Sequence, residues 1–178
     1  MKLDKIIVSE GTFNSSEPHD VINSNITVVN LLREEGIEDE NIHEDALTSY
    51  YLDYYESQYA NGNFSQFVWN SGWNLTLNEL IEKGLTQIGA TQHLALFQKQ
   101  SSKVAALTST ELDDYLESDY FGENPTRDLL NNDAFSDLPE TITGLNSKWL
   151  KNHPQLEVLS IDAMFAALEK FIGRKVAR

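Results

Sequence analysis

Apolar residues recur along most of this chain at the spacing of one helix face, and this pattern limits the possible folds more than any other feature. The first such segment begins at Pro18 and ends before Gly36, and its apolar residues are Val21, Ile22, Ile26, Val29 and Leu32. This spacing follows the 3.6-residue period of an α-helix. Because proline suits a first helical position and glycine suits a helix C-terminus, the segment predicts an amphipathic helix.

The same period continues through the rest of the chain. A tyrosine-rich segment, 46–60, carries Leu47, Tyr50, Tyr51, Tyr54, Tyr55 and Tyr59 before Gly62. Further helices are predicted over 64–70, 75–88, 91–106, 109–120, 125–133, 138–150 and 160–172. Alternation with a period of two is not sustained, and residues 5–9 are predicted to form a short strand or a tucked arm. The pattern therefore predicts an all-α fold, or nearly so: a single compact multi-helix domain over 1–178.

Two of these helices have recognisable starting signals. Thr108 is followed three residues later by Glu111, which is the spacing of a capping box. Asn124 is followed by Pro125, a pair that suits an N-cap and a first helical residue. Both signals predict where a helix begins.

The chain is strongly acidic, yet its composition is that of a folded protein. It has 28 Asp and Glu residues against 13 Lys and Arg, a net charge of −15, and 40% hydrophobic residues in 178. Disordered acidic chains usually lack aromatic residues, which are well supplied here. Such a charge repels nucleic acid phosphates and favours a basic protein as the partner. The alternative is that the charge serves solubility alone.

The sequence also suggests where the protein works. The first ten residues hold an apolar run of at most four residues, which is too short for a signal peptide. No segment approaches the roughly 18 apolar residues of a membrane span. The chain has no cysteine and therefore no disulfide framework. We predict a cytoplasmic protein that makes no membrane contact.

The acids fall into two clusters, which we call the first and second acidic clusters. The first lies in 34–56 and contains no base: Glu34, Glu35, Glu38, Asp39, Glu40, Glu44, Asp45, Asp53 and Glu56. The second lies in 111–140, with Arg127 as its only base: Glu111, Asp113, Asp114, Glu117, Asp119, Glu123, Asp128, Asp133, Asp137 and Glu140. The members from Glu34 to Asp45 and from Glu111 to Asp128 are the predicted partner-binding surface.

The helix predicted over 109–120 carries the densest charge. Leu112, Tyr115 and Leu116 mark its buried side. Its five acids lie within residues 111–119, which span about 12 Å at about 1.5 Å per residue, or one negative charge per about 2.4 Å. Duplex DNA carries one negative charge per about 1.7 Å of its axis. The two densities are comparable, although an ordinary solvated helix face would also carry such acids.

Signals for catalysis are absent from the sequence. The four histidines are scattered without an i,i+4 pair, and neither a phosphate-cradling glycine loop nor a G-x-S-x-G nucleophile elbow occurs. Acid pairs are so numerous that no single pair indicates general acid–base chemistry. We therefore expect a protein that is not an enzyme and that uses no cofactor and no metal site.

One segment is distinctive beyond its charge. Residues 61–70 read Asn61-Gly62-Asn63-Phe64-Ser65-Gln66-Phe67-Val68-Trp69-Asn70, and Ile88-Gly89-Ala90 follows. The segment 50–90 resembles the bacterial DNA-mimic protein family, whose hallmark is Asn-Gly-Gly-Phe-x-Gln-Phe-x-x-Asn followed by Ile-Gly-Ala. Asn63 departs from the pattern, because the family commonly has a second glycine there. Asparagine tolerates the left-handed conformation better than most residues, so the turn can be kept.

The residues of this motif suggest structural roles, with binding as the alternative. Gly62 can end the tyrosine-rich helix and Asn63 can cap the next one. Phe64 and Phe67 have core spacing, and Trp69 can join them. In addition, Gln66 and Asn70 can satisfy backbone groups at helix ends, and Gly89 suits a turn or close packing. The flanks, 13–50 and 91–172, are compatible with the family in helix layout, so the family-like core covers about 13–172.

The resemblance implies a function that the motif itself does not carry. A DNA mimic of this family would occupy the DNA-binding surface of a basic protein, such as a helix-turn-helix transcription factor, and keep it off DNA. Family members are dimers, so a homodimer is implied. The acids of the two clusters would act as phosphate surrogates. The alternative function is an immunity-type inhibitor of a basic toxin nuclease, which would use the same surface.

Overall fold

Helix formation follows the predicted pattern. The structure, a computed structural model, describes residues 2–176, and this part of the chain forms nine α-helices and one two-stranded sheet. The elements in chain order are β1 (Ile6–Ser9), α1 (Glu10–Phe13), α2 (Pro18–Glu34), α3 (Glu44–Ser71), α4 (Leu75–Gln87), α5 (Thr91–Ala105), α6 (Ser109–Glu117), α7 (Pro125–Leu130), α8 (Ile142–Lys151), β2 (Leu156–Leu159) and α9 (Ile161–Ile172). Short 3-10 turns occupy Asp39–Asn41 and Asp133–Phe135. The prediction of a nearly all-α fold is confirmed.

Three predicted helix boundaries differ from the structure. Helix α6 ends at Glu117, because Ser118 takes an extended conformation. Helix α7 ends at Leu130, because Asn131 is also extended and Asn132 then caps a new 3-10 turn through Ala134 N. Helix α8 begins at Ile142 rather than near residue 138. The proline at 139 disfavours helical geometry in the residue before it.

The described chain divides into two compact units. The first unit contains residues 2–50 and 143–176, and the second contains residues 51–142. The division falls inside α3, between Tyr50 and Tyr51. A single domain over 1–178 stays a prediction.

A two-stranded parallel sheet lies in the first unit. Strand β1 pairs with β2, so that Ile6 is opposite Leu156 and Val8 is opposite Val158. All four residues of β1 are buried, and the backbone N–H of Ser9 donates to Ser24 Oγ on α2 at 3.0 Å. The strand predicted as one option for residues 5–9 is thus confirmed. Strand β2 was not predicted, because a four-residue strand is too short to show a sustained alternation.

Buried asparagines tie the helices of the first unit together. Asn25 Nδ2 on α2 donates to the carbonyl of Ala46 at 2.9 Å, and Asn146 Nδ2 on α8 donates to the carbonyl of Ser49 at 3.0 Å. Both asparagines are almost fully buried. Because a buried donor without a partner is costly, these bonds fix α2 and α8 against the first turns of α3.

Aromatic rings form the core of the second unit. Tyr55, Phe64, Phe67 and Phe97 are all fully buried. The ring of Phe67 lies 5.1 Å from that of Tyr55 in a T-shaped arrangement, and 6.0 Å from that of Phe97. Edge-to-face contacts of this kind are the preferred geometry of aromatic pairs. The helical spacing of these residues therefore serves core packing, as expected for Phe64 and Phe67.

Candidate functional site

Helix α6 presents the densest part of the second acidic cluster. The predicted capping box is present: Thr108 Oγ1 accepts from the backbone N–H of Glu111, and Glu111 Oε2 accepts from the N–H of Thr108 at 2.7 Å. The backbone N–H and then the hydroxyl of Thr108 lower the pKa of Glu111. Tyr115 is buried, and its hydroxyl donates to the carbonyl of Ser65 at 2.8 Å. This anchoring leaves the acids of α6 in solvent.

The acids of α6 are fewer than the sequence predicted, because the helix is shorter. Asp113, Asp114 and Glu117 are exposed on α6 together with Glu111, whereas Asp119 lies beyond the helix end. Asp119 Oδ1 accepts from the backbone N–H of Phe121, which is a local turn contact. The four acids that lie on α6 span residues 111–117, or about 9 Å at about 1.5 Å per residue, which is one negative charge per about 2.3 Å.

Helix α7 is held close to the end of α6. Asn124 Oδ1 caps α7 by accepting from Arg127 N at 3.0 Å, and Asn124 Nδ2 donates to Ser118 Oγ at 2.9 Å. Arg127 Nη1 donates to the carbonyl of Tyr120 at 3.0 Å. The same guanidinium forms an ion pair with Asp128 at 2.9 Å. The segment 109–130 is thus one connected piece of surface.

Most of the charge on this segment is uncompensated. Of its acids, Asp113, Asp114, Glu117 and Glu123 form no ion pair with any residue in 2–176. Two large apolar side chains lie among them: Phe121 is 80% exposed and Leu129 is 53% exposed. Aromatic residues are enriched at protein interfaces relative to the rest of the protein surface.

The first acidic cluster is partly neutralised, in contrast to the sequence prediction. Three of its members pair with bases, two of which lie far away in the sequence. Asp39 accepts two bonds from Arg33 at 2.8 Å, Glu35 pairs with Arg174 at 2.6 Å, and Asp45 pairs with His153 at 2.9 Å. Glu34, Glu38, Glu40 and Glu44 remain exposed. The free negative charge of this cluster is therefore lower than its composition suggests.

The distinctive motif forms a break in α3. Asn63 has a positive φ of 70°, as the sequence analysis anticipated, but its ψ of −173° is extended and lies outside the left-handed helical region. Its Oδ1 accepts from Phe64 N at 2.8 Å and so caps the second half of the helix. A Cβ atom on Gly62 would lie 2.0 Å from Gln66 Oε1 and 2.9 Å from Gln66 Cβ, so glycine is needed for this close approach. The chain thus turns at Gly62 and Asn63, between the two halves of α3.

Other motif residues act differently from the prediction. Gln66 Nε2 and Asn70 Nδ2 both donate to the side-chain oxygen of Gln58, whereas backbone groups were expected as their partners. Trp69 is half-buried, and its Nε1 donates to the carbonyl of Ser118 at 3.3 Å. Gly89 has φ 76° with open space where a Cβ would lie, so it serves a turn rather than close packing. Asn61 is exposed.

The break in α3 also borders a cavity of about 640 Å³ within the second unit. The lining residues come from both sides of the break and from distant segments: Glu56, Tyr59, Ala60, Asn61, Gly62, Asn63, His93, Tyr120, Arg127, Asn131, Asn132, Asp133, Phe135, Ser136, Leu138, Glu140 and Thr141. Sequence reasoning missed this site. The local sequence signal for this site is the polar run 131–133, which cannot be distinguished from an ordinary surface loop.

A buried tyrosine organises one side of this cavity. The hydroxyl of Tyr59 donates to the carbonyl of Asn132 at 3.0 Å, and its ring stacks on Phe135 with 4.1 Å between ring centroids. Burial raises the pKa of Tyr59, and the negative charge of Asp133 raises it further. Tyr59 is therefore a neutral donor at physiological pH and does not act as a base.

No helix in residues 2–176 is both long and apolar enough to cross a membrane.

The fold and the exposed carboxylates of α6 and α7 define a nearly all-α acidic protein. Residues 40–153 match the DMP19-like proteins, and the chain belongs to this family. It is a family of DNA mimics, which agrees with the resemblance found in residues 50–90. The match lies inside the family-like core predicted over 13–172. No curated protein and no solved structure matches the chain.

Proposed function

We propose that this protein is an acidic DNA mimic that binds the DNA-binding surface of a basic protein, such as a helix-turn-helix transcription factor, and blocks DNA binding. The observation that carries the proposal is the unpaired charge of segment 109–130. Asp113, Asp114 and Glu117 stand on a capped helix whose inner side is anchored by Tyr115. A rigid row of carboxylates can form charge-assisted hydrogen bonds with Arg and Lys side chains that otherwise hold phosphates.

The proposed function is binding rather than catalysis. We place it in the cytoplasm, where DNA-binding partners of this kind work. The protein is proposed to act as a homodimer. The exposed ring of Phe121 offers an apolar anchor beside the carboxylates. Apolar anchors contribute affinity at protein interfaces, whereas charge contributes mainly association rate and specificity. Because exposed charges are screened by salt over about 10 Å at 0.1 M, binding weakens as salt rises.

The decisive experiment reverses the charge of α6 and compares it with a matched reversal elsewhere. The test variant carries Asp113→Lys, Asp114→Lys and Glu117→Lys. The control carries Asp4→Lys, Glu10→Lys and Glu79→Lys, which changes the net charge equally at exposed positions outside both clusters. Each protein is used to capture partners from a lysate of its host at low salt. The wild type and the control are expected to retain a DNA-binding protein that duplex DNA displaces, and the test variant is expected to lose it.

Two results would contradict the proposal. Equal capture by the test variant and the control would show that α6 is not the binding surface. Capture of a partner that duplex DNA fails to displace would show that the protein does not occupy a DNA-binding surface. If the displaced partner is a nuclease, the blocked activity is DNA cleavage rather than transcription control.

The dimer is tested separately by light scattering. The expected mass is twice the 20.2 kDa of one chain. A mass of one chain at the concentration used for partner capture would overturn the proposed dimer.

A further inference from the structure

We infer that the cavity beside the break in α3 binds an organic cation, an alkylguanidinium or alkylammonium group. This site is separate from the carboxylates of α6, and the inference does not depend on DNA mimicry. The volume of about 640 Å³ lies within the roughly 300–1,000 Å³ typical of sites that enclose a small molecule. A long side chain or a small amine fits such a space.

The charges that line the cavity favour a cation. Glu56, Asp133 and Glu140 contribute three carboxyl groups to the lining. Arg127 also lines it, but its charge is paired with Asp128: Nε and Nη2 donate to Asp128 Oδ1 at 3.0 and 2.9 Å, and Nη1 donates to the carbonyl of Tyr120. The balance of the lining is therefore negative, and an anionic ligand would be repelled.

Two buried polar atoms of lining residues have no partner, and a ligand that donates hydrogen bonds would satisfy them. His93 lines the cavity, is 2% exposed, and its Nε2 lies 2.6 Å from the carbonyl of Glu140. A carbonyl only accepts, so Nε2 carries a hydrogen, and in the Nε2–H tautomer Nδ1 is an acceptor. Nδ1 has no hydrogen-bond partner in the described chain, and neither does the buried Oδ1 of Asn131, which also belongs to the lining. Buried acceptors are normally satisfied, and N–H groups of a cation would satisfy them.

The cavity also has an apolar side that suits an alkyl stem. Tyr59 and Phe135 both line the cavity, and their rings stack with an interplanar angle of 18°. In the described residues, no three His, Asp or Glu side chains come together closely enough to hold a metal ion. Aromatic walls with nearby carboxylates attract guanidinium and ammonium groups.

The same chemistry has two sources: an Arg or Lys side chain of a protein, or a free amine. The probe for the first is Nα-acetyl-arginine N-methylamide, and the probe for the second is spermidine. Nα-acetyl-citrulline N-methylamide is the matched control, because its urea group has nearly the same shape as guanidinium but no charge. Binding is measured by calorimetry, and nuclear magnetic resonance identifies the residues whose signals shift.

We expect the capped arginine to bind at least tenfold more tightly than the capped citrulline, and to shift signals of 61–63 and 131–135. Asp133→Asn and Glu140→Gln are each expected to weaken binding severalfold. Ser136→Trp, which fills the cavity without removing a charge, is expected to abolish it. Asp113→Asn, on α6 outside the lining, is the control and is expected to bind as the wild type does. Tighter binding of spermidine than of capped arginine would assign the site to a free amine, and the reverse would assign it to a protein side chain.

Equal binding of the arginine and citrulline probes would overturn the inference, since charge would then play no part. So would equal weakening by Asp113→Asn and Asp133→Asn, which would indicate general attraction to an acidic surface. Absence of binding by both cationic probes would show that the cavity has no such ligand. All four variants change exposed residues, so their folding can be checked by circular dichroism before binding is compared.

Discussion

The side-chain oxygen of Asn63 accepts a hydrogen bond from the backbone N–H of Asn132 at 2.8 Å, across 69 positions of sequence. The same oxygen accepts from Phe64 N, and the backbone of Asn63 has a positive φ of 70° with an extended ψ. One residue thus turns the chain, caps a helix and joins the break in α3 to the segment after α7. A glycine, which the family commonly has at this position, could turn the chain but could form neither of the two side-chain hydrogen bonds.

Substitution of Asn63 separates these roles. Asn63→Ala is expected to lower the free energy of unfolding by about 2 kcal/mol or more, because two hydrogen bonds are lost and a residue with a Cβ pays roughly 1–3 kcal/mol to hold a positive φ with an extended ψ. Asn63→Gly keeps the conformation and is expected to cost about 1 kcal/mol less. Urea denaturation measures both. If Asn63→Ala and Asn63→Gly lower the free energy of unfolding equally, the backbone conformation of residue 63 does not contribute to the difference in stability.

Phe67 lies at the centre of the aromatic core, with rings of Tyr55, Phe64 and Phe97 within 6.0 Å. Phe67→Ala is expected to cost about 3–5 kcal/mol because it leaves a cavity among fully buried rings. Phe67→Leu, which fills more of the space, is the control and is expected to cost less. A melting temperature unchanged by Phe67→Ala would contradict this assignment of the core.

The capping box of α6 gives a pH-dependent contribution to stability. The folded-state pKa of Glu111 is lowered from its ordinary value of 4.5 by hydrogen bonds from the backbone and hydroxyl of Thr108. A lowered pKa gives stability that is present above the unfolded value and lost as pH falls through the folded value. The difference in unfolding free energy between wild type and Glu111→Gln should therefore be full at neutral pH and shrink below pH 4.5.

Two controls test the capping interpretation. Thr108→Ala is expected to cost about 0.5–2 kcal/mol, as is usual when an N-cap side chain is lost. Glu79→Gln removes an exposed acid that does not cap a helix, and no comparable pH-dependent difference is expected. A difference for Glu111→Gln that stayed constant down to acid pH would show that the carboxylate form is not what stabilises the helix.

Burial of tyrosines makes the fold sensitive to alkali. Burial raises the pKa of Tyr55, Tyr59 and Tyr115 above the ordinary value of 10.0. The folded state therefore holds these protons more tightly than the unfolded state, and stability is full below pH 10.0 and lost as pH rises above it. Absorbance at 295 nm should show the phenolates of these three residues appearing together with unfolding. Their ionisation in the folded protein near pH 10 would contradict the burial.

Tyr55 and Tyr59 form a matched pair for this test. The buried hydroxyl of Tyr55 has no hydrogen-bond partner within residues 2–176, whereas that of Tyr59 donates to Asn132 O. Tyr55→Phe is therefore expected to stabilise the protein by about 1 kcal/mol, and Tyr59→Phe to destabilise it by a similar amount, at neutral pH. The two variants should both reduce the alkaline loss of stability. Equal effects at neutral pH would mean that the two hydroxyls do not differ in bonding.

Helix starts were predictable because their causes are local. Thr108 and Glu111 bond to each other's backbone within one turn, and Asn124 bonds to Arg127 N three residues later. Such contacts need no tertiary structure. Helix ends were less predictable, since the ends of α6 and α7 depend on the extended conformations of Ser118 and Asn131. These conformations accompany contacts with distant residues, such as that of Trp69 Nε1 with the carbonyl of Ser118.

The sequence by itself determined the helical class, the capped starts of the helices, the buried aromatic faces and the excess of acid. Periodicity and capping encode these features within a few residues. Tertiary structure alone decided that β2 pairs with β1, that Arg174 neutralises Glu35, and that segment 131–135 closes a cavity against the break in α3. Each of these joins residues that lie far apart in the sequence. Such contacts depend on how whole elements pack, which no local pattern specifies.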